Sequence, residues 1–304
     1  MRTALILAAG CGVMACSGEK APPADAAVTD SPPALAPGEG RLAVEGGSIW
    51  YRVTGSGPGL PVILIHGGPG YNSFYLKPLE ALGDDRPVVR YDQLGSGKSD
   101  HVSDTTLFTV ERFVRELDAL RAHLGYEKFH LLGHSWGTML GMEYYRAHPD
   151  RVASLTLGSA ALDIPAWLRN TREMLRTLPD SAQRAVAEAE ASGVFDSPGY
   201  AAANELFMAK YVVRHPVQVD WDSTLATMNM GIYGYMWGPT EFTATGSLKD
   251  FDATPLLPKV TVPTLFTVGE YDEAHPPTIQ RQAALVPGGQ AVVIDTAAHI
   301  TTWD

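Results

Sequence analysis

The stretch Gly133-His134-Ser135-Trp136-Gly137 constrains this chain more than any other. Lys128-Phe129-His130-Leu131-Leu132 before it reads as a short apolar strand, and Thr138 to Tyr145 after it as a helix start. A G-x-S-x-G motif between strand and helix is a turn so tight that only glycine fits at both flanks. Such a turn holds the serine hydroxyl clear of the backbone, with the next N–H facing the same space. The bare motif recurs by chance as a glycine-rich turn, so the strand-turn-helix setting carries the argument.

The remaining elements keep the same rhythm. Arg41 to Val53 reads as a hairpin turning at Gly46-Gly47. Pro61–Ile65 is a continuous apolar run, the pattern of a strand buried on both faces, and Pro87–Tyr91 reads as a second such strand. A helix follows from Val110 to Leu124, with Val110, Phe113, Val114, Leu117, Leu120 and Leu124 on one face and Thr109 as its cap. After the elbow come a helix ending near His148-Pro149 and a strand from Val152 to Leu157. Strand Pro263–Val268, helix Pro277–Leu285 and strand Ala291–Ile294 complete the series. Strands alternating with helices predict an α/β fold, with a mostly parallel sheet covered on both faces. Residues 162–250 break that rhythm. They are helical in tendency, rich in Trp, Tyr, Met and Asn, and read as a helical cap inserted into a core formed by 41–161 and 251–304. Trp167, Trp221, Tyr233, Tyr235, Met236 and Trp237 in this segment read as packing rather than a cofactor box.

The N-terminus has a separate logic. Met1-Arg2-Thr3 is a short positive start, and Ala4 to Ala15 is an apolar stretch of signal-peptide length. Val13-Met14-Ala15-Cys16-Ser17 resembles a bacterial lipoprotein processing box, which would make residues 1–16 a signal and Cys16 the lipidated terminus. Cys11 after Ala8-Ala9-Gly10 is the weaker alternative, and an ordinary secretory signal the plain one. Residues 17–40, rich in Ala, Pro, Gly and Asp, read as a flexible tether. The expectation is an exported protein on the periplasmic face of the bacterial envelope, touching membrane only through its lipid. Both cysteines precede the tether, so thiol chemistry in the folded part is excluded. A net charge of −11 argues against nucleic acid, which needs a basic footprint.

A serine hydroxyl attacks only when a base removes its proton, and the base needs an orienting carboxylate. In chain order, Gly269-Glu270-Tyr271-Asp272-Glu273 directly follows a strand, where open α/β sheets carry their chemistry, and His299 follows the last strand. The expected assignment is Ser135 as nucleophile, His299 as base and Asp272 as its partner. Donors for a tetrahedral oxyanion are expected from the backbone N–H groups of Gly68, in His66-Gly67-Gly68-Pro69-Gly70, and of Trp136. His66 itself reads as structural. No H-E-x-x-H occurs among the nine histidines, so neither metal nor cofactor is implied.

With HGGPG at 66–70, Asp92-Gln93-Leu94-Gly95-Ser96-Gly97-Lys98-Ser99, GHSWG at 133–137 and GEYDE at 269–273, the chain resembles the proline iminopeptidase family of α/β hydrolases from about residue 41 onward. The resemblance implies a serine aminopeptidase that releases an N-terminal residue, often proline, from a short peptide or amino-acid amide beneath a helical cap. By the same resemblance, Glu241 and Glu273 match the family's glutamates that hold the substrate amine. His134 stands where strictly prolyl members carry glycine, and Trp237-Gly238-Pro239-Thr240-Glu241-Phe242 is closer to broad-specificity tricorn-interacting aminopeptidases and amino-acid amidases. A general esterase or amidase, and a silent tethered binding protein, are the alternatives. Gly95-Ser96-Gly97-Lys98-Ser99 invites a phosphate-loop reading, but Asp92 stands where that motif needs glycine; Asp92 is expected instead to hold backbone groups in a tight loop. The given sequence stops at Asp304, five residues after His299, where such folds normally add a final helix; without it the His299 loop is expected to be weakly held, the alternatives being that the sequence is a fragment or that a partner covers that face.

Overall fold

The computed structural model describes residues 36–304; the signal segment, Cys11, Cys16 and the tether up to residue 35 lie outside the described residues. Strands β1 (Gly38–Val44) and β2 (Gly47–Thr54) form the expected hairpin, with Glu45-Gly46 as its two-residue loop and Gly46 at φ +95°. β1 therefore starts inside the segment expected to be tether, because Gly38, Glu39 and Gly40 pair with Val53, Arg52 and Tyr51 of β2. Then come β3 (Val62–Ile65), β4 (Val88–Asp92), helix α1 (Val110–His123), β5 (Phe129–His134), helix α2 (Trp136–Ala147) and β6 (Val152–Gly158). The Thr109 side chain caps α1 by accepting from the Arg112 N–H. Five helices are inserted after β6: α3 (Ile164–Leu175), α4 (Asp180–Ser192), α5 (Pro198–Phe207), α6 (Gln218–Thr227) and α7 (Met230–Met236). β7 (Thr264–Gly269), α8 (Pro276–Leu285) and β8 (Gln290–Ile294) resume the alternation.

The eight strands form one sheet in the order β1-β2-β4-β3-β5-β6-β7-β8, in which β2 alone runs antiparallel to its neighbours β1 and β4 and every other pairing is parallel. The switch lies at β3, whose two neighbours are reached by crossovers in opposite directions. Open α/β sheets bind their ligands outside the carboxyl ends of strands at such a point. Side-chain alternation along β3 divides the interior: Ile63 and Ile65 join a core with Val89, Leu131, Phe113, Met139 and Leu140. Val62 and Leu64 join a second core with Tyr75, Leu76, Tyr200, Phe207 and Phe242. A parallel strand covered on both faces needs this unbroken apolar run.

An antiparallel bridge between Asp163 and Asp252 closes the base of the helical insertion, flanked by Ile164 N–H to Phe251 O and Ala253 N–H to Leu162 O. Trp167, Tyr233, Met236 and Trp237 are buried, whereas Tyr235 is exposed. The Asp92–Ser99 loop supports the insertion from below. Asp92 accepts from the Ser73 N–H and hydroxyl on one oxygen and from the Lys98 N–H on the other, so it organises backbone as expected. A Cβ at Gly97 would lie 2.2 Å from that carboxylate. The same loop meets the α6–α7 junction: Gly97 N–H donates to Thr227 O, and the Asn229 amide donates to Gly95 O.

Candidate active site

Ser135 occupies the turn between β5 and α2 at φ +54°, ψ −123°, a conformation that strains any residue with a side chain. The flanking glycines permit it. A Cβ at Gly133 would lie 2.3 Å from Gly137 O, and one at Gly137 would lie 2.2 Å from Ile65 O. Trp136 is the first residue of α2, where helix geometry leaves the N–H without an intrahelical partner. Its indole, fully buried, donates to Gln93 Oε1 at 2.9 Å, and the Gln93 amide donates to His66 O at 3.1 Å. His66 Nε2 accepts from the Gln93 N–H at 3.0 Å and its Nδ1 lies 2.8 Å from Gly67 O. Burial pushes its pKa down, so a neutral His66 ties the glycine loop after β3 to the loop after β4.

The structure brings Gly68, Ser135, His299 and Glu241 to one pocket, with Tyr71, Trp221 and Ile300 in its wall. Gly68 has φ +113°, and a Cβ there would meet the Tyr71 N at 2.6 Å. His299 Nδ1 lies 2.8 Å from Asp272 Oδ1. Asp272 follows β7, is fully buried, and also accepts from the Ala274 N–H at 2.8 Å. Burial raises its pKa, but His299 and the converging donors outweigh this and hold the carboxyl below its usual range. A histidine so held presents its other nitrogen toward the cavity in the tautomer that can accept a proton.

Glu273 is the neighbour of Asp272 and is also fully buried, yet neither of its carboxylate oxygens has a hydrogen-bond partner. Its Oε1 lies 3.9 Å from His299 Nδ1. Burial, then the charges of Glu241 and Asp272, push its pKa well above the carboxylate range. Burial likewise raises Glu241. Two carboxyls both pushed upward, one of them partly by the charge of the other, form a site short of positive charge. Tyr71 and Tyr233 stand beside them, and both hydroxyls are pushed up by burial first and by Glu241 next.

The loop carrying His299 is held from several sides, in contrast to the expectation of a weak hold. His299 O accepts from Ser159 Oγ at 3.0 Å and from His134 Nε2 at 2.8 Å. Backbone N–H groups of His299 and Ile300 donate to Tyr211 O and Val212 O, on a π-helical turn (Met208–Val212) of the insertion. Asp304 accepts from the Ala298 N–H and the His215 N–H, and Thr302 Oγ1 donates to Tyr75 O. Trp303 packs edge-on against Tyr75 and Trp221. These partners are not visible in the sequence; Tyr75 and Ser159 belong to none of its motifs.

A strained serine on a strand-helix elbow, in one cavity with a carboxylate-held histidine from the last loop, defines the class of the protein as an α/β hydrolase. The sequence model of the alpha/beta hydrolase fold matches residues 61–304, and the chain belongs to that family. Within it, the chain is a member of the proline iminopeptidase group. It is 41% identical to a proline iminopeptidase of Heyndrickxia coagulans over 265 residues, 86% of this chain and 92% of that protein. Among solved structures, it resembles VinJ with a TM-score of 0.82 at 33% identity, covering 87% of this chain and 93% of VinJ. The proline iminopeptidase of Mycobacterium smegmatis gives a TM-score of 0.79, also at 33% identity, with 87% and 92% covered.

Proposed function

We propose that this chain is a serine aminopeptidase that releases the N-terminal residue of short peptides or amino-acid amides through an acyl-enzyme on Ser135. The observation that carries the reading is Glu273. A fully buried carboxylate without a partner, one residue from the aspartate that holds His299, is costly unless a ligand brings positive charge to it. The protonated α-amine of a substrate is such a charge, and its seat beside Glu273 and Glu241 puts the first carbonyl, not a later one, at Ser135.

In this reading Ser135 Oγ attacks that carbonyl while His299 takes its proton. The carbon–oxygen bond forms, and the carbonyl electron pair moves onto oxygen between the N–H groups of Gly68 and Trp136. Asp272 stabilises the imidazolium. Collapse breaks the carbon–nitrogen bond, His299 returns the proton to the leaving amine, and water then repeats the sequence to free the acid. Oxyanion donors of this kind contribute about 3 kcal/mol or more each. A cavity walled by Tyr71, Trp221 and Ile300 favours apolar first residues, proline among them.

Labelling by a fluorophosphonate that disappears in Ser135→Ala, with turnover of Pro, Ala, Leu and Phe anilides, tests this reading. Turnover of simple esters alone would replace it with an esterase. We also infer export and acylation at Cys16, supported by the apolar run before it and the tether after it. Mass spectrometry of the envelope fraction would reveal a lipid on Cys16 and none in Cys16→Ser; a free N-terminus elsewhere would refute it.

A further inference from the structure

His134, the residue just before the elbow serine, is buried and makes a polar contact with each of its ring nitrogens. Its Nδ1 lies 2.9 Å from the Tyr75 hydroxyl, and its Nε2 lies 2.8 Å from His299 O. The Tyr75 oxygen in turn accepts from the Gly67 N–H at 2.6 Å. The two ends of this chain fix its polarity. A backbone N–H can only donate and a carbonyl can only accept. His134 must therefore carry its hydrogen on Nε2, which leaves Nδ1 to accept from Tyr75. The tyrosine then has an oxygen lone pair free for Gly67. Burial, followed by the charge of His299, pushes the His134 pKa down to about 3, so the ring stays in the neutral form this polarity requires.

The rings reinforce the bonds. His134 meets Tyr75 edge-on at 5.1 Å and His299 edge-on at 4.8 Å between centroids. The path therefore runs from the glycine loop that offers the Gly68 N–H, through Tyr75 and His134, to the main chain of the general base. Its middle member is covalently joined to Ser135. Gly67 N–H is consumed by this path, which separates its task from that of Gly68. Replacing Gly67 is also closed off sterically, since a Cβ there would lie 3.0 Å from both Ser135 Cβ and Tyr75 Oη.

We propose that His134 is a positioning residue that sets the spacing between the oxyanion loop and the His299 loop, with Tyr75 as its arm toward the former. The inference rests on the reading of Ser135 and His299 as nucleophile and base. A bystander histidine would contribute to folding alone; a positioning residue contributes to kcat. Misplacement of catalytic groups by an ångström or less is worth up to about 100-fold in rate.

Three variants separate these roles. His134→Phe keeps the ring and removes both polar contacts. His134→Gln places an N–H donor where Nε2 stands, and His134→Asn places an acceptor where Nδ1 stands. Each would be assayed on an amino-acid anilide with active sites counted by fluorophosphonate, well below its own melting temperature. The expected result is a fall in kcat of roughly 10- to 100-fold for His134→Phe with KM changed less than about threefold. Partial rescue is expected in Gln or Asn, and Tyr75→Phe added to His134→Phe should cost little more than the single change. Unchanged kcat in His134→Phe overturns the proposal, as does a loss confined to KM. Equal losses in all three variants, with Tyr75→Phe fully additive, overturn it as well. Failure of the Ser135→Ala control to abolish labelling would instead remove the underlying catalytic reading.

Discussion

Glu273→Gln tests the centre of the proposed function. The change conserves shape and removes the carboxylate that a bound ammonium would pair with, at a position where neither oxygen has a partner and no surface is exposed. A hydrogen bond to a charged group contributes about 1.5–3 kcal/mol, which converts to roughly 10- to 150-fold in kcat/KM. That loss is expected for an amino-acid anilide, whose ammonium needs the carboxylate. A simple acetate ester has no amine and should lose less than about threefold. Glu241 remains in the variant, so binding of the amine weakens without vanishing.

The same substitution makes a second, independent demand on stability. Glu273 has a folded pKa raised above its ordinary 4.5. Such a group favours folding fully below the unfolded value and loses that contribution as pH rises through the folded value. Glutamine does not titrate. The melting temperature of Glu273→Gln relative to the parent should therefore climb from about pH 5 to pH 8. Scanning calorimetry at several pH values, beside kcat/KM on both substrates, measures the two effects on one protein. Equal losses on anilide and ester would refute the amine role, and a pH-independent difference in melting temperature would refute the electrostatic account. In the parent, kcat/KM for the anilide should also rise with pH as the glutamates ionise. It should fall again near pH 8, where an α-amine loses its proton.

Asp272→Asn should leave the fold intact and lower kcat by about 10³- to 10⁴-fold, because His299 would lose the acceptor that fixes its tautomer; an anilide assay checks it. Gly137→Ala should prevent folding or cost more than about 3 kcal/mol, since the new Cβ meets backbone oxygens of Ile65 and His66 that cannot move independently; urea titration reads this directly. The buried pair Arg112–Glu116 holds the β1–β2 turn and the Leu94 N–H, and burial raises Glu116 to about 7 despite Arg112. Arg112→Ala should cost about 3–5 kcal/mol by leaving a carboxyl buried alone. Arg112→Met combined with Glu116→Leu should restore most of that, and a double variant no more stable than Arg112→Ala would refute the explanation.

Much of the fold was legible because the elements that carry it have strong local signatures. The continuous apolar run at 62–65 demands burial on both faces, and the alternation of Val62 and Leu64 with Ile63 and Ile65 gives each face its own core. Glycines 133 and 137 are required by contacts of 2.3 and 2.2 Å with main-chain oxygens, so steric necessity wrote them into the motif. Asp92 was legible as a loop organiser because a carboxylate among glycines and serines has backbone N–H groups to bind. The start of β1 is not legible in the sequence for the opposite reason. Gly38 and Gly40 have no strand propensity of their own, and their place in β1 comes from pairing with Val53 and Tyr51.

The hold on His299 is hidden from the sequence for a deeper reason. A covering helix is a feature that sequence patterning can announce. The His299 loop depends instead on carbonyl groups. Tyr211 O and Val212 O take the N–H groups of His299 and Ile300, and His299 O takes Ser159 and His134. Every residue carries a carbonyl, so nothing in the identities of Tyr211 and Val212 marks them as partners. What exposes those acceptors is the π-helical turn at Met208–Val212, because a helix that ends irregularly leaves carbonyls unclaimed by its own N–H groups. The side chains of the candidate site are therefore readable one by one. The main-chain contacts that fix His299 become visible only when the insertion and the last loop stand side by side.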